Sequence, residues 1–304
     1  MHKFFDYKTA RRWLLFWTLF IGLGAVAGSV VMIADPSGKV MGMDAMLPYF
    51  QVLPFADILF KDFLFSGFAL LFVNGLTNLT AAVLLIAKRK IGIILGGIFG
   101  ITLMLWTCIQ FYIFPPNFMS TVYFIFGLFQ TITGYIAFVR YEQEQFTFYE
   151  DDYENIGSNP QELVVFFSRD GYTKKIAYEE ANRTGAAVFE IVTDEKTDGI
   201  AGFLWCGRFG MHRWQMKINH IPEDIQSYNR ITICSPIWVF TPASPVRTFC
   251  QEIYGKIKCA DLITVHYTKG AYRNALNEVE TLTGVKMKSY KSICCRFGKN
   301  IQLR

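Results

Sequence analysis

Apolar residues fill most of the first 140 positions and alternate with polar ones afterwards, and this change of pattern divides the chain. Four runs free of charged residues stand out: Trp13 to Ala34, Phe63 to Ala87, Ile91 to Phe114 and Phe118 to Val139. Each is close to or above the ~20 residues with which a helix rising ~1.5 Å per residue crosses a hydrocarbon layer. Burial in a soluble core is the weaker reading at this length, so residues 1–140 are predicted to form a four-helix transmembrane domain. The first run is too long, and lacks the small-residue cleavage site, for a removed signal peptide.

The connection from Met41 to Phe60 is itself apolar and broken by Pro48 and Pro54, which predicts a short segment lying along the membrane interface. Within the runs, Asn74 and Asn78 stand four apart and share a helix face, with Thr107, Gln110, Gln130 and Thr131 on the later helices. Together with Gly67, Gly75, Gly96, Gly97 and Gly100 they predict interhelical hydrogen bonds and close packing. No ionisable residue lies inside a run, which argues against an ion or proton pump.

After Arg140 comes an acidic, turn-rich stretch that includes Glu142, Glu144, Glu150, Asp151, Asp152 and Glu154 and ends in Gly157-Ser158-Asn159-Pro160. Residues 141–162 therefore read as a linker. From Leu163 onward the spacing predicts strands at Leu163 to Phe167, Ala187 to Val192, Ile231 to Cys234, Leu262 to His266 and Val285 to Ile293. Helices are predicted at Thr173 to Thr184, Pro245 to Ile257 and Tyr272 to Thr283, with Gly185 and Gly284 as stops. Strands alternating with helices imply an α/β domain over residues 163–304 with a parallel sheet.

Charge sharpens the division. Residues 1–140 hold ten Lys/Arg and five Asp/Glu, while the remainder holds twenty of each, so the net charge of +5 belongs to the first part. Arg11 and Arg12, Lys88 to Lys90, and Arg140 fall on one side of a four-span bundle, which predicts that both termini and the α/β domain are cytoplasmic. The cations flank apolar helices and form no basic face, so nucleic acid is not an expected partner, whereas the lipid bilayer is. The seven cysteines include no CxxC pair, and no His stands at ligand spacing, so neither a disulfide framework nor a metal site is expected.

Candidate chemistry sits in three loops that leave the carboxyl ends of predicted strands, where open α/β sheets bind ligands. The first, Ser168-Arg169-Asp170-Gly171-Tyr172-Thr173, opens a helix whose N–H groups and dipole suit a phosphate. The second runs from Ser235 through Pro236, Ile237, Trp238, Val239, Phe240 and Thr241 to Pro245 and offers rings to a flat ligand. The third is Tyr267-Thr268-Lys269-Gly270-Ala271-Tyr272. The aromatic stretch Ala201 to Pro222 reads either as a lid beside these loops or as the crossover helix that parallel strands require. His212, His220 and His266 are scattered, and no catalytic acid, base or nucleophile is evident.

Residues Leu163 to Ile293, and most specifically the second loop through Val246-Arg247-Thr248-Phe249, resemble the short-chain flavodoxin family. The resemblance implies a doubly wound five-stranded parallel sheet of order 2-1-3-4-5 that binds FMN noncovalently. It implies that Ser168, Gly171, Tyr172 and Thr173 hold the phosphate, that Trp238 or Phe240 flanks the ring, and that Thr268 to Ala271 approach its pyrimidine edge. Two positions depart from the family. Asp170 stands where relatives usually have Thr, and a carboxylate repels a phosphate dianion by roughly a kcal/mol at an effective dielectric of ~20. Either Arg169, Lys174 and Lys175 compensate, or Asp170 turns to cap the helix. The third loop has one Gly where relatives commonly have two.

Residues ~10 to 140, through Asp35-Pro36-Ser37-Gly38, Pro54-Phe55, Asp62-Phe63-Leu64 and Val73-Asn74-Gly75, resemble small four-span bacterial membrane proteins of unassigned function, which implies a bacterial inner membrane. The expected function is a membrane-anchored FMN-binding electron carrier that serves a redox protein partner. Two alternatives stand beside it: a flavin-free interaction or sensor module, and an FMN-dependent membrane oxidoreductase.

Overall fold

The computed structural model describes residues 6–303, and the chain divides into two compact units, Met1–Gln145 and Phe146–Arg304. The first is helical. Its elements are α1 (Tyr7–Ala34), a 3-10 segment (Asp44–Val52), the single turn α2 (Ala56–Leu59), α3 (Leu64–Leu70), a π-helical turn (Leu71–Leu76), α4 (Thr77–Ile86), α5 (Lys90–Ile113) and α6 (Phe118–Glu144). Four helices are long and apolar enough to cross a membrane: Tyr7–Ala34, Leu64–Ile86, Lys90–Ile113 and Phe118–Glu144.

Each start has a local cause. Asp6 caps α1 by accepting from the Thr9 N–H at 2.8 Å, and Asn117 caps α6 by accepting from Ser120 at 2.9 Å. Both helices outrun their apolar runs because polar ends find partners: Arg11 donates through Nε to the Leu85 carbonyl at 3.1 Å, and Lys90 pairs with Glu142. The bundle turns Phe20, Leu23, Phe72, Val83 and Leu105 outward while Thr18, Asn74, Asn78, Thr107 and Gln130 are buried. This is the reverse of a water-soluble bundle. Between α5 and α6 the backbones nearly touch, since a β-carbon on Gly100 would come within 2.7 Å of the Gly127 carbonyl oxygen.

The second unit is an α/β domain. It contains β1 (Asn159–Phe166), α7 (Tyr172–Thr184), β2 (Ala186–Glu190), α8 (Gly199–His212), β3 (Arg230–Trp238), β4 (Thr241–Pro242), α9 (Ser244–Glu252), β5 (Ala260–His266), α10 (Arg273–Thr283), β6 (Met287–Arg296) and β7 (Lys299–Leu303). The expected five-stranded, all-parallel sheet is corrected to a mixed sheet of seven strands, ordered β2-β1-β3-β5-β6-β7 with β4 paired to β3. β2, β1, β3, β5 and β6 pair in parallel, while β4 and β7 are antiparallel additions closed by two-residue turns. One apolar layer, with Val165, Ile231, Ile233, Phe249 and Leu262, fills one face, and a second, with Val164, Phe166, Ile176, Ala177 and Ile263, fills the other.

The stretch read as a linker is not a loose tether. Phe148 and Tyr153 pack against Tyr178 of α7 at 5.1 and 5.7 Å between ring centroids, and Phe146 packs against Tyr172 at 4.7 Å. Asn159 and Pro160, taken as a turn, already belong to β1. Aromatic side chains that bury against α7 outweigh the acidic composition around them.

Candidate functional site

The first, second and third loops follow β1, β3 and β5 at the carboxyl edge of their parallel strands, beside the point where the order passes from β2-β1 to β3. Such a switch point is where an open sheet leaves a crevice. The first loop turns sharply at Gly171, whose φ of 86° is left-handed and suits glycine. Ser168 Oγ accepts from the Gly171 N–H at 3.1 Å, and Gly171, at the N-cap of α7, carries no side chain to cap the helix. Thr173 is buried in that turn.

Of the two ways to neutralise Asp170, the structure uses the cation. Arg169 forks onto the Asp170 carboxylate with Nη2 to Oδ2 at 2.6 Å, and Asp170 does not cap the helix. The same guanidinium lies over the Phe203 ring of α8, 5.1 Å from its centroid. Lys174 is committed elsewhere, to Glu150 at 2.6 Å and Glu190 at 3.2 Å. Burial alone would lower the Lys174 pKa, but the two carboxylates outweigh it and raise it.

The second loop is shorter than expected. Pro236, Ile237 and Trp238 continue β3, which then reverses through Val239 and Phe240 into Thr241 of β4. Pro236 is tolerated because it stands near the strand end and contributes its carbonyl, which accepts from the Ala243 N–H at 3.0 Å. Val239 and Phe240 both have positive φ, 47° and 67°, a pattern that two-residue hairpins usually fill with Asn-Gly. A β-branched residue in that region is strained. The turn is clamped from below, because Thr241 donates to Glu278 at 2.6 Å and Arg247 donates to the same carboxylate at 2.6 Å. Trp238 packs edge-on against Phe167 at 5.5 Å, whereas Phe240 is 73% exposed.

The third loop is tied to β6. His266 Nδ1 faces the Thr268 carbonyl at 2.5 Å, so that nitrogen carries the proton, and Nε2 faces Ser292 Oγ at 2.8 Å. Burial holds the ring's pKa below its ordinary value. Ser292 Oγ also lies 3.2 Å from the Gly270 carbonyl, and Arg296 donates to the Tyr267 carbonyl at 3.1 Å. Thr268 hydrogen-bonds the Tyr272 hydroxyl, and the Tyr272 ring folds over Gly270. Lys269 and Ala271 are exposed.

Rings join the second and third loops, with Phe240 and Tyr272 at 6.3 Å. The first loop meets the second through α8, because Gly210 abuts Trp238, where a β-carbon would come within 2.9 Å of its carbonyl oxygen. The stretch with two open readings thus contains a helix that touches both loops. Sequence reasoning missed His266, Ser292, Glu278 and Phe203 in these roles. Burial pushes the Cys206 thiol of α8 up to about 11 despite the nearby Arg169, so it is protonated at neutral pH and is a poor nucleophile.

No family model and no curated protein matches the chain. Solved structures resemble its C-terminal part. A candidate flavoprotein from Bacteroides eggerthii shares 18% identity over 45% of this chain and 91% of that chain, with a TM-score of 0.40. A flavoprotein in complex with FMN from Lactobacillus acidophilus shares 20% over 44% and 93%, with a TM-score of 0.36. A candidate flavoprotein from Bacteroides uniformis shares 21% over 44% and 90%, with a TM-score of 0.39.

Proposed function

We propose that the α/β unit binds FMN noncovalently at this edge and serves as a membrane-anchored electron carrier, with the four helices as its anchor in a bacterial cytoplasmic membrane. The observation that carries the reading is the first loop. A left-handed glycine beside the switch point opens a helix with no side-chain cap, next to the Ser168 hydroxyl, and this donor set suits a phosphate. In this reading Ser168, Gly171, Tyr172 and Thr173 bind the phosphate while Arg169 offsets Asp170. Val239 and Phe240 present apolar surface for the ring, and Thr268 to Ala271 border it. FMN when bound supplies the redox chemistry. The chain's own part is to bind, orient and exclude water.

A second reading, a flavin-free interaction module, is favoured by the side chains that already occupy the loops. Tyr272 lies over Gly270 and reaches Phe240, and Phe146 lies against Gly171, where a β-carbon would meet its ring at 3.1 Å. Purified full-length protein in detergent separates the two. Flavin absorption bands, or saturable quenching of added FMN, support the carrier. Asp170→Thr removes a negative charge and frees Arg169, so FMN binding tightens by on the order of tenfold. A protein that stays colourless and leaves FMN fluorescence unchanged, with Asp170→Thr equally inert, establishes the module instead.

A further inference from the structure

The helical unit holds a cavity of about 350 Å³ between the 3-10 segment, α3 and the last turns of α5. Its walls are apolar, and six rings, Phe50, Phe60, Phe63, Phe65, Trp106 and Phe114, stand among aliphatic side chains. Ring contacts fix three of them around Phe50, with Phe60 stacked at 5.1 Å and Phe63 and Phe114 edge-on at 5.8 and 5.2 Å. The wall is anchored from outside, since the Phe63 N–H donates to the Pro36 carbonyl at 2.8 Å.

Two polar groups break this lining. Ser66 is only 8% exposed, and its hydroxyl is buried without any hydrogen-bond partner. Helical serines ordinarily bond back to a carbonyl one turn earlier, as Ser29 does to Ala25 at 2.5 Å in the same unit. A buried hydroxyl left without a partner is unfavourable in apolar surroundings. Gln110 also lines the cavity, and its carbonyl oxygen accepts from Ser120 at 3.2 Å, so its NH₂ is the group it can offer.

We propose that this cavity is a binding site for a compact one- or two-ring aromatic molecule carrying a hydroxyl or carbonyl oxygen, with the rings among the phenylalanines and the oxygen at Ser66 and Gln110. The volume lies near the lower end of small-molecule pockets, roughly 300 to 1,000 Å³, which suits a ring system more than a full lipid chain. Edge-on and stacked walls favour a flat ligand. A lipid tail leaves the Ser66 hydroxyl unsatisfied, whereas an oxygen function satisfies it. The inference does not depend on flavin binding by the other unit.

The test is equilibrium dialysis of the full chain in phosphatidylcholine nanodiscs against 2-naphthol, with 2-methylnaphthalene as the probe that lacks oxygen. The wild type is expected to take up 2-naphthol saturably, above the uptake of empty nanodiscs. Ser66→Ala weakens 2-naphthol about fivefold to tenfold, the worth of one hydrogen bond, and leaves 2-methylnaphthalene unchanged. Ala69→Trp, which fills the cavity, abolishes both. If Ala69→Trp does not fold, the two probes on Ser66→Ala still decide. Uptake equal to empty nanodiscs overturns the proposal, as does a Ser66→Ala variant that binds 2-naphthol as tightly as the wild type. A phospholipid that copurifies and resists displacement by 2-naphthol also overturns it.

Discussion

The two units treat buried polar side chains in opposite ways. In the helical unit Gln130 donates to Asn78 at 2.8 Å and to the Gly96 carbonyl at 2.7 Å, but its own carbonyl oxygen has no partner, and neither side-chain atom of Asn74 has one. In the α/β unit, Asp261 accepts from Arg230 and from Ser289, each at 2.5 Å, and Glu278 accepts from Arg247 and Thr241. Among the described residues of that unit only the Ser244 hydroxyl is buried and unpartnered. Helices satisfy their own backbones, so a bundle can hold a side chain that awaits a small partner. In the sheet domain buried polar groups serve as ties: Glu278 reaches Thr241 beside the β3–β4 turn, and Asp261 joins the starts of β3 and β5 to β6. Of the unmet groups named in the first unit, the Ser66 hydroxyl lines the cavity, whereas Asn74 and Gln130 lie outside its lining.

Glycine gives the comparison its hardest test. A β-carbon on Gly100 would meet the backbone of Gly127 and Thr131 at 2.7 Å, so nothing flexible can yield, whereas a β-carbon on Gly207 in α8 meets nothing within 4 Å. Gly100→Ala is expected to destabilise the helical unit by about 1–3 kcal/mol through overpacking. Gly207→Ala is expected to stabilise the α/β unit by about 0.5–1 kcal/mol, because alanine favours a helix interior. Thermal unfolding of each variant in detergent, followed by probes in each unit, checks both signs. Equal shifts in the two variants would remove the packing distinction.

The β3–β4 turn sharpens the other half of the contrast. Replacing Val239-Phe240 by Asn-Gly puts favoured residues at two left-handed positions and is expected to stabilise the α/β unit by about 1 kcal/mol. It also removes the exposed Phe240 ring, so FMN binding is expected to weaken severalfold while stability rises. Denaturant unfolding and flavin titration on the same double variant measure the two effects. Stability and affinity that rise together would show that Phe240 has no part in the site.

Much of this was legible in the sequence where one signal acted alone. Uninterrupted apolar runs located the four helices, and strand-helix alternation located the parallel pairings. Legibility failed where a distant partner decided. The basic end of α1 depends on a carbonyl 74 residues away, where Arg11 donates to Leu85. Acidic residues around Phe146, Phe148 and Tyr153 masked an aromatic row whose period only α7 makes sensible. Pro236 reads as part of the second loop although it continues β3 and its carbonyl accepts from Ala243, and the Phe297-Gly298 turn that adds β7 passed without notice. For the loops, residue type suggested the chemistry, but the side chains that hold them, His266 and Glu278, lie in a strand and a helix outside the loops themselves.

The smallest predicted effect isolates one tie. His266 is held neutral by burial, so its folded pKa lies below the ordinary 6.5. A lowered pKa means that the folded state prefers the unprotonated ring. Its contribution is present in full above pH 6.5 and is lost as pH falls towards and through the lower folded value. Hydrogen exchange of the Thr268–Tyr272 amides in the full chain is therefore expected to speed up between pH 7 and pH 5 after correction for intrinsic rates. His266→Gln is expected to lose this dependence while the core amides of β5 keep their protection. A loop better protected at pH 5 would reverse the assignment: the imidazolium, donating to Ser292 and through it to Gly270, would then be the form the fold prefers.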